Sequence, residues 1–335
     1  MNTLSFCTVA EARAATPLAT LQAVALIVGL GLSGGSVCAG GNQPAFCSQT
    51  ADAALKACRA EVTDDYWIAT ANCINITNRT KRRACSNNAH EELEDGKAQC
   101  KSQWQARLKV CDLVGEKRFD PAFGPGKFVN PAKIGRTVEP NPYFPLVRGT
   151  RWVYKGGDET ITVTVTDKTK LIRGVTCRVV HDVVREDGKV IEDTEDWYAQ
   201  DKDGNVWYFG EVSQEFETFE GDNPEEPELV SIDGSWKAGR EGAKPGILVL
   251  ARPRVGGGYR EEVSLGEAED VAEIISITGN ESVPAASCHN KCLVTRNFTA
   301  LEPGANERKY YAPGVGLILE VAGRNRVELV KFSKP

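Results

Sequence analysis

Residues 47–111 read CSQTADAALKACRAEVTDDYWIATANCINITNRTKRRACSNNAHEELEDGKAQCKSQWQARLKVC, and six cysteines divide this stretch. Successive cysteines are 11, 15, 12, 15 and 11 residues apart. The series is symmetric and pairs the cysteines about one midpoint: Cys47 with Cys111, Cys58 with Cys100, and Cys73 with Cys85.

Helix geometry selects this pairing from the fifteen that six cysteines allow. Positions 11 residues apart on one helix lie about 16 Å apart, whereas a disulfide needs Cα atoms within about 7 Å. Positions 11 or 15 apart nevertheless share one helix face, so two antiparallel helices joined at the polar turn Thr77–Arg83 bring all three pairs together. We predict a disulfide-bonded helical hairpin over residues 40–115, in which Gly96 costs about 1 kcal/mol of helix propensity.

The N-terminus has the pattern of a secretory signal peptide. Residues 14–33 are apolar and uncharged, follow Arg13, and lead into small residues and the sequence Val37-Cys38-Ala39. We expect cleavage of residues 1–39 after Ala39 and export to the periplasm or the extracellular space, where cysteines are oxidised. A lipoprotein acylated at Cys38 is the alternative, although Gly35 stands where that motif needs a large aliphatic residue. No other stretch of the sequence is apolar enough to predict a transmembrane span.

The second half of the chain has the pattern of an antiparallel β domain. Residues 116–145 are rich in proline and glycine, which predicts an extended linker. In Thr160–Thr166 apolar and hydroxyl residues alternate, which is typical of a strand with one buried face. Other strand-like segments are Gly149–Tyr154, Val175–Val184, Asp196–Gln200, Val206–Gly210, Leu293–Thr299, Tyr310–Tyr311, Leu317–Val321 and Val327–Phe332. The predicted class is α+β, with a half-barrel-like or sandwich domain over residues 146–335 and one helical candidate, Glu267–Ile275.

Three motifs carry a resemblance to known proteins: PYFPLVRGTRWVY (142–154), EDTEDWYAQDKDGNVWYFGE (192–211) and KYYAPGVGLILEV (309–321). The run resembles a group of exported bacterial proteins of unassigned function. Its last motif is similar to the closing hairpin of curved-sheet half-barrels that carry or sense lipids and other apolar ligands. The resemblance implies a curved β-sheet domain that accepts a ligand, and it assigns no site residue. The N-terminal hairpin resembles cysteine-laddered helical hairpins of unrelated exported proteins in architecture only.

An acidic stretch offers a calcium site. Residues Glu186–Glu228 contain sixteen acidic and two basic residues. Carboxylate and amide oxygens are the ligands that Ca²⁺ prefers, and a tight turn supplies those of Asp201, Asp203 and Asn205. Further oxygens come from Asp193, Glu195 or Asp196. The alternatives are a docking surface for a basic partner and a solvated sheet edge.

A transition-metal site is the second cofactor hypothesis. Copper or zinc would need Cys177, His181, His289 and Cys292 to converge, which requires their two segments to pair. The alternative is a Cys177–Cys292 disulfide, with Cys288 as the other candidate partner of Cys177. His181 is then a core residue on a buried strand face.

The charge distribution bears on partners. Arg79, Lys81, Arg82 and Arg83 make the hairpin tip basic, as a solvated turn or as a contact for anionic lipid headgroups or an acidic partner. The net charge of −6 gives no broad basic face, so we expect no nucleic-acid partner.

Catalytic motifs are missing from the mature sequence: it shows neither a nucleophile elbow nor a phosphate-binding glycine loop. This favours a non-catalytic binding or scaffold protein over an enzyme. Its β domain would accept an unidentified ligand or envelope protein, and its hairpin would dock or space that partner. The alternative is a periplasmic metal-binding protein or enzyme that uses Cys177, His181, His289 and Cys292.

Overall fold

The computed structural model describes residues 45–335, so the predicted signal peptide and Cys38 lie outside the described residues. Helix α1 spans Phe46–Ile74 and helix α2 spans Arg79–Val114. No helix in this part of the chain has the length and apolarity that a membrane span requires.

The three disulfides predicted from the cysteine spacing join the two helices. Their Cα–Cα distances are 5.6, 5.8 and 5.5 Å from the base of the hairpin to its tip, for Cys47–Cys111, Cys58–Cys100 and Cys73–Cys85. These distances lie within the range that an unstrained bridge requires. The helical hairpin predicted from the sequence is therefore confirmed.

The tip of the hairpin is fixed by hydrogen bonds as well as by a disulfide. The side chain of Asn78 caps α2 by accepting from the backbone N–H of Lys81 at 3.0 Å. The guanidinium of Arg82 donates to the carbonyl of Ile76 at 2.7 Å, which satisfies a backbone acceptor in the turn. Arg82 thus has a structural role, whereas Arg79, Lys81 and Arg83 are exposed.

Small residues allow the two helices to approach closely between the disulfides. Ala51 and Ala89 are buried at the helix interface. A Cβ atom added at Gly96 would lie 2.6 Å from a methyl group of Val62. Packing therefore requires glycine at position 96. The loss of helix propensity at this position is a consequence of the close approach of the two helices.

We predict that Gly96→Ala does not stabilise the hairpin, although alanine favours a helix by about 1 kcal/mol. Overpacking against Val62 costs about 1–3 kcal/mol and offsets the gain. Combining Gly96→Ala with Val62→Ala should relieve the overlap, so that a double-mutant cycle of thermal unfolding free energies shows a coupling of about 1 kcal/mol or more. Additive effects of the two substitutions would contradict this packing.

Residues 151–333 form one antiparallel sheet. Its strands within the described chain are β1 (Arg151–Gly156), β2 (Glu159–Ile172), β3 (Val175–Glu186), β4 (Lys189–Gln200), β5 (Val206–Glu217), β6 (Glu228–Ser231), β7 (Trp236–Lys237), β8 (Lys244–Val249), β9 (Gly258–Arg260), β10 (Glu262–Val263), β11 (Asp270–Val283), β12 (Ala286–Thr299), β13 (Glu307–Ala312), β14 (Gly316–Ala322) and β15 (Asn325–Ser333). Their order is β10-β8-β5-β4-β3-β2-β1-β15-β14-β13-β12-β11-β9, and β6 and β7 pair with β5. The mainly antiparallel α+β class is confirmed.

One short segment brings the two ends of the sheet together. β9 pairs with β11 at one edge, and β10 pairs with β8 at the other edge. Along the chain, only Glu261 separates β9 from β10. Its backbone N–H donates to the carbonyl of Asp270 at 2.8 Å. The sheet is therefore nearly closed and barrel-like, and it curves around the core.

The proline-rich segment 116–145 packs on the sheet, which corrects the prediction of an extended linker. Phe128, Ile134 and Phe144 are each less than 10% exposed, and Phe144 stacks on Trp152 at 5.7 Å between ring centroids. The prolines keep the backbone extended, but the apolar residues between them find sheet partners. Two short 3₁₀ helices, Pro125–Lys127 and Pro131–Lys133, are the regular structure of this segment.

The helix predicted over Glu267–Ile275 is wrong, because β11 begins at Asp270. Val271, Ile274 and Ile275 are β-branched and favour a strand when a paired neighbour is present. Their pairing with β12 decides the conformation.

The Cys177–Cys292 disulfide is also wrong. Cys292 bonds to Cys288 within β12, with 5.3 Å between their Cα atoms, and Cys177 is a buried free thiol. The physical reason is the strand order, in which β2, β1, β15, β14 and β13 lie between β3 and β12. Irregular pairing of β11 with β12 around Gly279 allows the short-range bridge instead.

Candidate functional site

A groove lies between the base of the helical hairpin and the closing edge of the sheet. It has a volume of about 1180 Å³ and is lined by both helices, by residues 117–120 and by loops around β8–β11. Polar side chains that line it include Gln49, Gln103, Arg107, Arg118, Arg260 and Glu269. This volume is sufficient for a drug-sized ligand or a short peptide.

A buried ion pair holds the hairpin against the sheet. Arg107 of α2 donates two hydrogen bonds to the carboxylate of Glu269, at 2.8 and 2.7 Å. Both side chains are less than 10% exposed. Gln103 adds a hydrogen bond of 2.9 Å to the carbonyl of Leu301. One face of α2 is thereby fixed as a wall of the groove.

Glycine permits a close contact across this junction. A Cβ atom at Gly258 of β9 would overlap the side chain of Leu113 near the end of α2. Strand β9, the first strand of the segment that brings the two ends of the sheet together, therefore lies directly against the hairpin.

Guanidinium groups lie close together at the base of the hairpin, although the groove lining as a whole contains seven acidic and five basic side chains. The Nη1 atom of Arg107 is buried and has no hydrogen-bond partner among the described residues. Arg260 contacts the sulfur of Cys47 at 3.2 Å, and Arg118 stacks on Phe46 at 3.5 Å from the ring centroid. Burial lowers the pKa of the Arg260 guanidinium. These donors fit a ligand group that carries negatively charged oxygens.

One group of potential metal ligands also lies at this groove, but its chemistry does not suit a metal. Within residues 45–335, Cys47, Cys111 and Glu116 are the group whose ligand atoms lie within 4.8 Å of one another. Both sulfurs belong to a disulfide and are not thiolates. The Glu116 carboxylate accepts hydrogen bonds from the backbone and the hydroxyl of Ser48.

The turn proposed to bind calcium uses its oxygens internally. One oxygen of Asp201 accepts from the backbone N–H groups of Asp203 and Asn205, at 3.0 and 2.8 Å. The other accepts from the Asn205 amide at 3.0 Å and from the Trp207 indole at 2.9 Å. Calcium at this turn stays a prediction, and the ion would have to displace these bonds.

The further calcium ligands suggested by the sequence do not all share a surface, because Asp193 and Glu195 lie on the exposed face of β4 and Asp196 lies on the buried one. Glu195 pairs with Lys168 at 2.9 Å on an exposed face of the sheet, whereas Asp196 is buried. Consecutive residues of a strand point to opposite faces, so these two carboxylates are directed away from each other.

The structure does not bring the predicted transition-metal ligands together. His181 lies 2.8 Å from a carboxylate oxygen of Asp193, and its side chain is 40% exposed rather than buried. His289 is exposed on β12, between the two cysteines of the Cys288–Cys292 disulfide. Cys177 lies on β3, far along the sheet from β12, and burial raises the pKa of its thiol. Cys292 is not available as a thiolate ligand.

Buried carboxyl groups form a second unusual feature of the β domain. Seven acidic residues are at most 5% exposed within the barrel-like sheet and the segment that closes it: Asp182, Glu192, Asp196, Glu211, Glu261, Glu262 and Glu320. Lys309 is the buried lysine facing them, with its Nζ atom 3.6 Å from Glu320. Acidic groups outnumber basic ones in this interior, which we call the acidic core.

Burial controls the protonation of the acidic core. It raises the pKa of Glu192 to about 7 and that of Glu261 to about 8. Burial also raises the pKa of Asp196, to about 6. Hydrogen bonds from Tyr208 and Tyr198 lower this pKa and so partly offset the effect of desolvation. Neither carboxyl oxygen of Glu262 has a hydrogen-bond partner in residues 45–335, and burial raises its pKa well above the ordinary range. A neutral carboxylic acid accounts for Glu262, since an unpaired buried charge is costly.

We predict that the free energy of unfolding falls as the pH rises from about 4 to 8. A carboxyl group with a raised pKa in the folded state contributes its full stability below its unfolded pKa of about 4.3. This contribution is lost as the pH rises through the folded pKa. Glu261→Gln stays neutral and can still accept from Asn297, so it should flatten the dependence by up to about 1.4 kcal/mol per pH unit. Urea unfolding across this pH range measures the effect. The exposed Glu267→Gln is the control and should leave the slope unchanged.

The features that sequence reasoning missed are the groove and the acidic core. Arg107 and Glu269 are 162 residues apart, so no local pattern connects them. For the acidic core a signal was present, because Glu192, Thr194, Asp196 and Tyr198 alternate along one strand as an inward-facing set.

Comparison with known proteins gives no relative of the chain: no protein-family model, curated protein or solved structure matches it. The resemblance to exported bacterial proteins therefore stays a prediction.

Proposed function

We propose that this chain is an exported binding protein whose groove accepts a ligand carrying an oxyanion, either a carboxylate or a phosphate group. The observation that carries the proposal is the guanidinium of Arg260, which lines a groove of about 1180 Å³ and makes no ion pair with the described residues. Arg107 lines the same groove, and its buried Nη1 atom has no acceptor among the described residues.

The architecture of the groove supports binding by a preformed site. Three disulfides fix α1 against α2, and the Arg107–Glu269 pair fixes α2 against the sheet. A site built in this way loses little conformational entropy when a ligand binds. The hairpin is then a wall of the binding site as well as a spacer.

The guanidinium of Arg260 supports an anionic ligand over a neutral one. It makes no ion pair with the described residues; it contacts a disulfide sulfur, lies 5.9 Å from the ring of Phe119, and is within the electrostatic influence of Glu269. Guanidinium groups bind carboxylates and phosphates through two parallel hydrogen bonds. The competing metal or enzyme hypothesis gains no such support, since Cys292 is oxidised and Cys177 lies on a distant strand.

Isothermal titration calorimetry with an oligoglutamate peptide and with inorganic phosphate tests the proposal and separates the two sources of the oxyanion. We expect one of them to bind, while an oligolysine peptide does not. Arg260→Gln should weaken binding about tenfold or more, because the loss of one charge-assisted hydrogen bond reduces the binding free energy by that amount. The matched control is the exposed Arg252→Gln, which makes the same charge change outside the groove lining.

Equal binding by Arg260→Gln and Arg252→Gln would contradict the groove as the site. Failure of both oxyanion probes to bind the native protein would contradict the ligand class. Because Arg260 pairs with no carboxylate, its replacement leaves the Arg107–Glu269 contact in place, and unchanged thermal unfolding provides the folding control.

A further inference from the structure

The tip of the helical hairpin exposes large apolar side chains on a rigid support. Trp67, Ile68 and Ile74 of α1 are 61%, 60% and 70% exposed. Trp67 and Ile74 are seven residues apart and therefore lie on one face of α1, with the exposed Ala71 between them. This stripe is about 10 Å long. We call it, together with Ile68, the apolar tip.

Basic residues dominate the charge at the end of the hairpin, although the exposed Asp64 and Asp65 lie about one helical turn before Trp67 and Ile68. Between Tyr66 and His90 the sequence contains four basic residues and no acidic residue. Arg82 is used in the turn, and the side chains of Arg79, Lys81 and Arg83 remain exposed. An apolar stripe beside exposed cations is the combination that binds anionic membrane surfaces.

Rigidity prevents the apolar tip from being hidden within the molecule. The Cys73–Cys85 disulfide joins the two helices at this level, and the Asn78 cap fixes the turn. Contacts between the hairpin and the sheet are made near its base, by Gln103, Arg107 and Leu113. Among the described residues, no hydrogen bond or ion pair joins the segment from Tyr66 to His90 to the sheet.

We infer that the hairpin tip docks on the surface of an anionic phospholipid bilayer. Trp67 and the isoleucines would enter the interfacial region, and Arg79, Lys81 and Arg83 would contact the headgroup phosphates. A bilayer is favoured over an acidic protein because the exposed apolar residues are spread around α1, where Ile68 lies about 100° from Trp67. A fluid interface accommodates such a convex apolar surface, whereas a protein partner would need a matching cleft. This inference does not depend on the groove or its ligand.

Vesicle cosedimentation of the full disulfide-bonded protein tests the inference. The probes are vesicles of phosphatidylcholine with phosphatidylglycerol, and vesicles of phosphatidylcholine alone. We expect binding to the anionic vesicles only, with weakening at high salt because the charge attraction is screened. Trp67→Ser with Ile74→Ser, and separately Arg79→Gln with Lys81→Gln and Arg83→Gln, should each reduce the bound fraction about tenfold.

Matched controls separate the tip from the general composition of the surface. Leu171→Ser removes an equally exposed apolar residue, 69% exposed, from the β domain. Three exposed lysines of the hairpin outside the tip supply the charge control: Lys56→Gln, Lys101→Gln and Lys109→Gln. Both controls should bind like the native protein, and helical circular dichroism confirms that all variants are folded.

Two results would overturn the inference. One is the absence of binding to anionic vesicles. This includes the case in which the native protein binds soluble oligoglutamate through the tip and does not bind vesicles. The other is vesicle binding that tip and control variants lose equally.

Discussion

The contact between Arg107 and Glu269 is the interaction on which the arrangement of the molecule depends. It takes two charges out of water, and its two parallel hydrogen bonds supply the compensation. Glu269 also accepts from the backbone N–H of Gly266 at 2.9 Å, which orients the carboxylate before the strand β11 begins. Removing one partner would leave the other buried and unpaired, at a cost of about 3–5 kcal/mol. The groove exists because this pair joins a rigid hairpin to the closing edge of the sheet.

The hairpin could be predicted from the sequence because its constraint is covalent and periodic. Cysteine spacing fixes both the helix faces and the register, and no distant partner is needed to interpret it. Strands of the β domain were also predictable where alternation is clear, as in Thr160–Thr166 of β2. Short strands such as Trp236–Lys237 carry too few residues for a pattern. β11 resembles a helix in sequence, and pairing with β12 decides its conformation.

The candidate site was less predictable, since its parts come from distant segments. Cys177 and Cys292 were expected to bond, yet strand order separates them and Cys288 is nearer. Arg260 lies beside the closing residue Glu261, and nothing local distinguishes it from Arg252 or Arg254. The acidic core depends on closure as well, because carboxyl groups such as Glu192 become buried only when the sheet curves around them.

Double electron–electron resonance measures the rigid attachment of the hairpin to the sheet most directly. Spin labels at Glu91→Cys on α2 and Arg324→Cys in the turn after β14 occupy exposed positions in the two parts. We expect one narrow distance distribution in the native protein, and a broad distribution after Glu269→Gln leaves Arg107 without its ionic partner. A broad distribution in the native protein would contradict a rigid attachment, because a mobile hairpin could not form a wall of a binding groove.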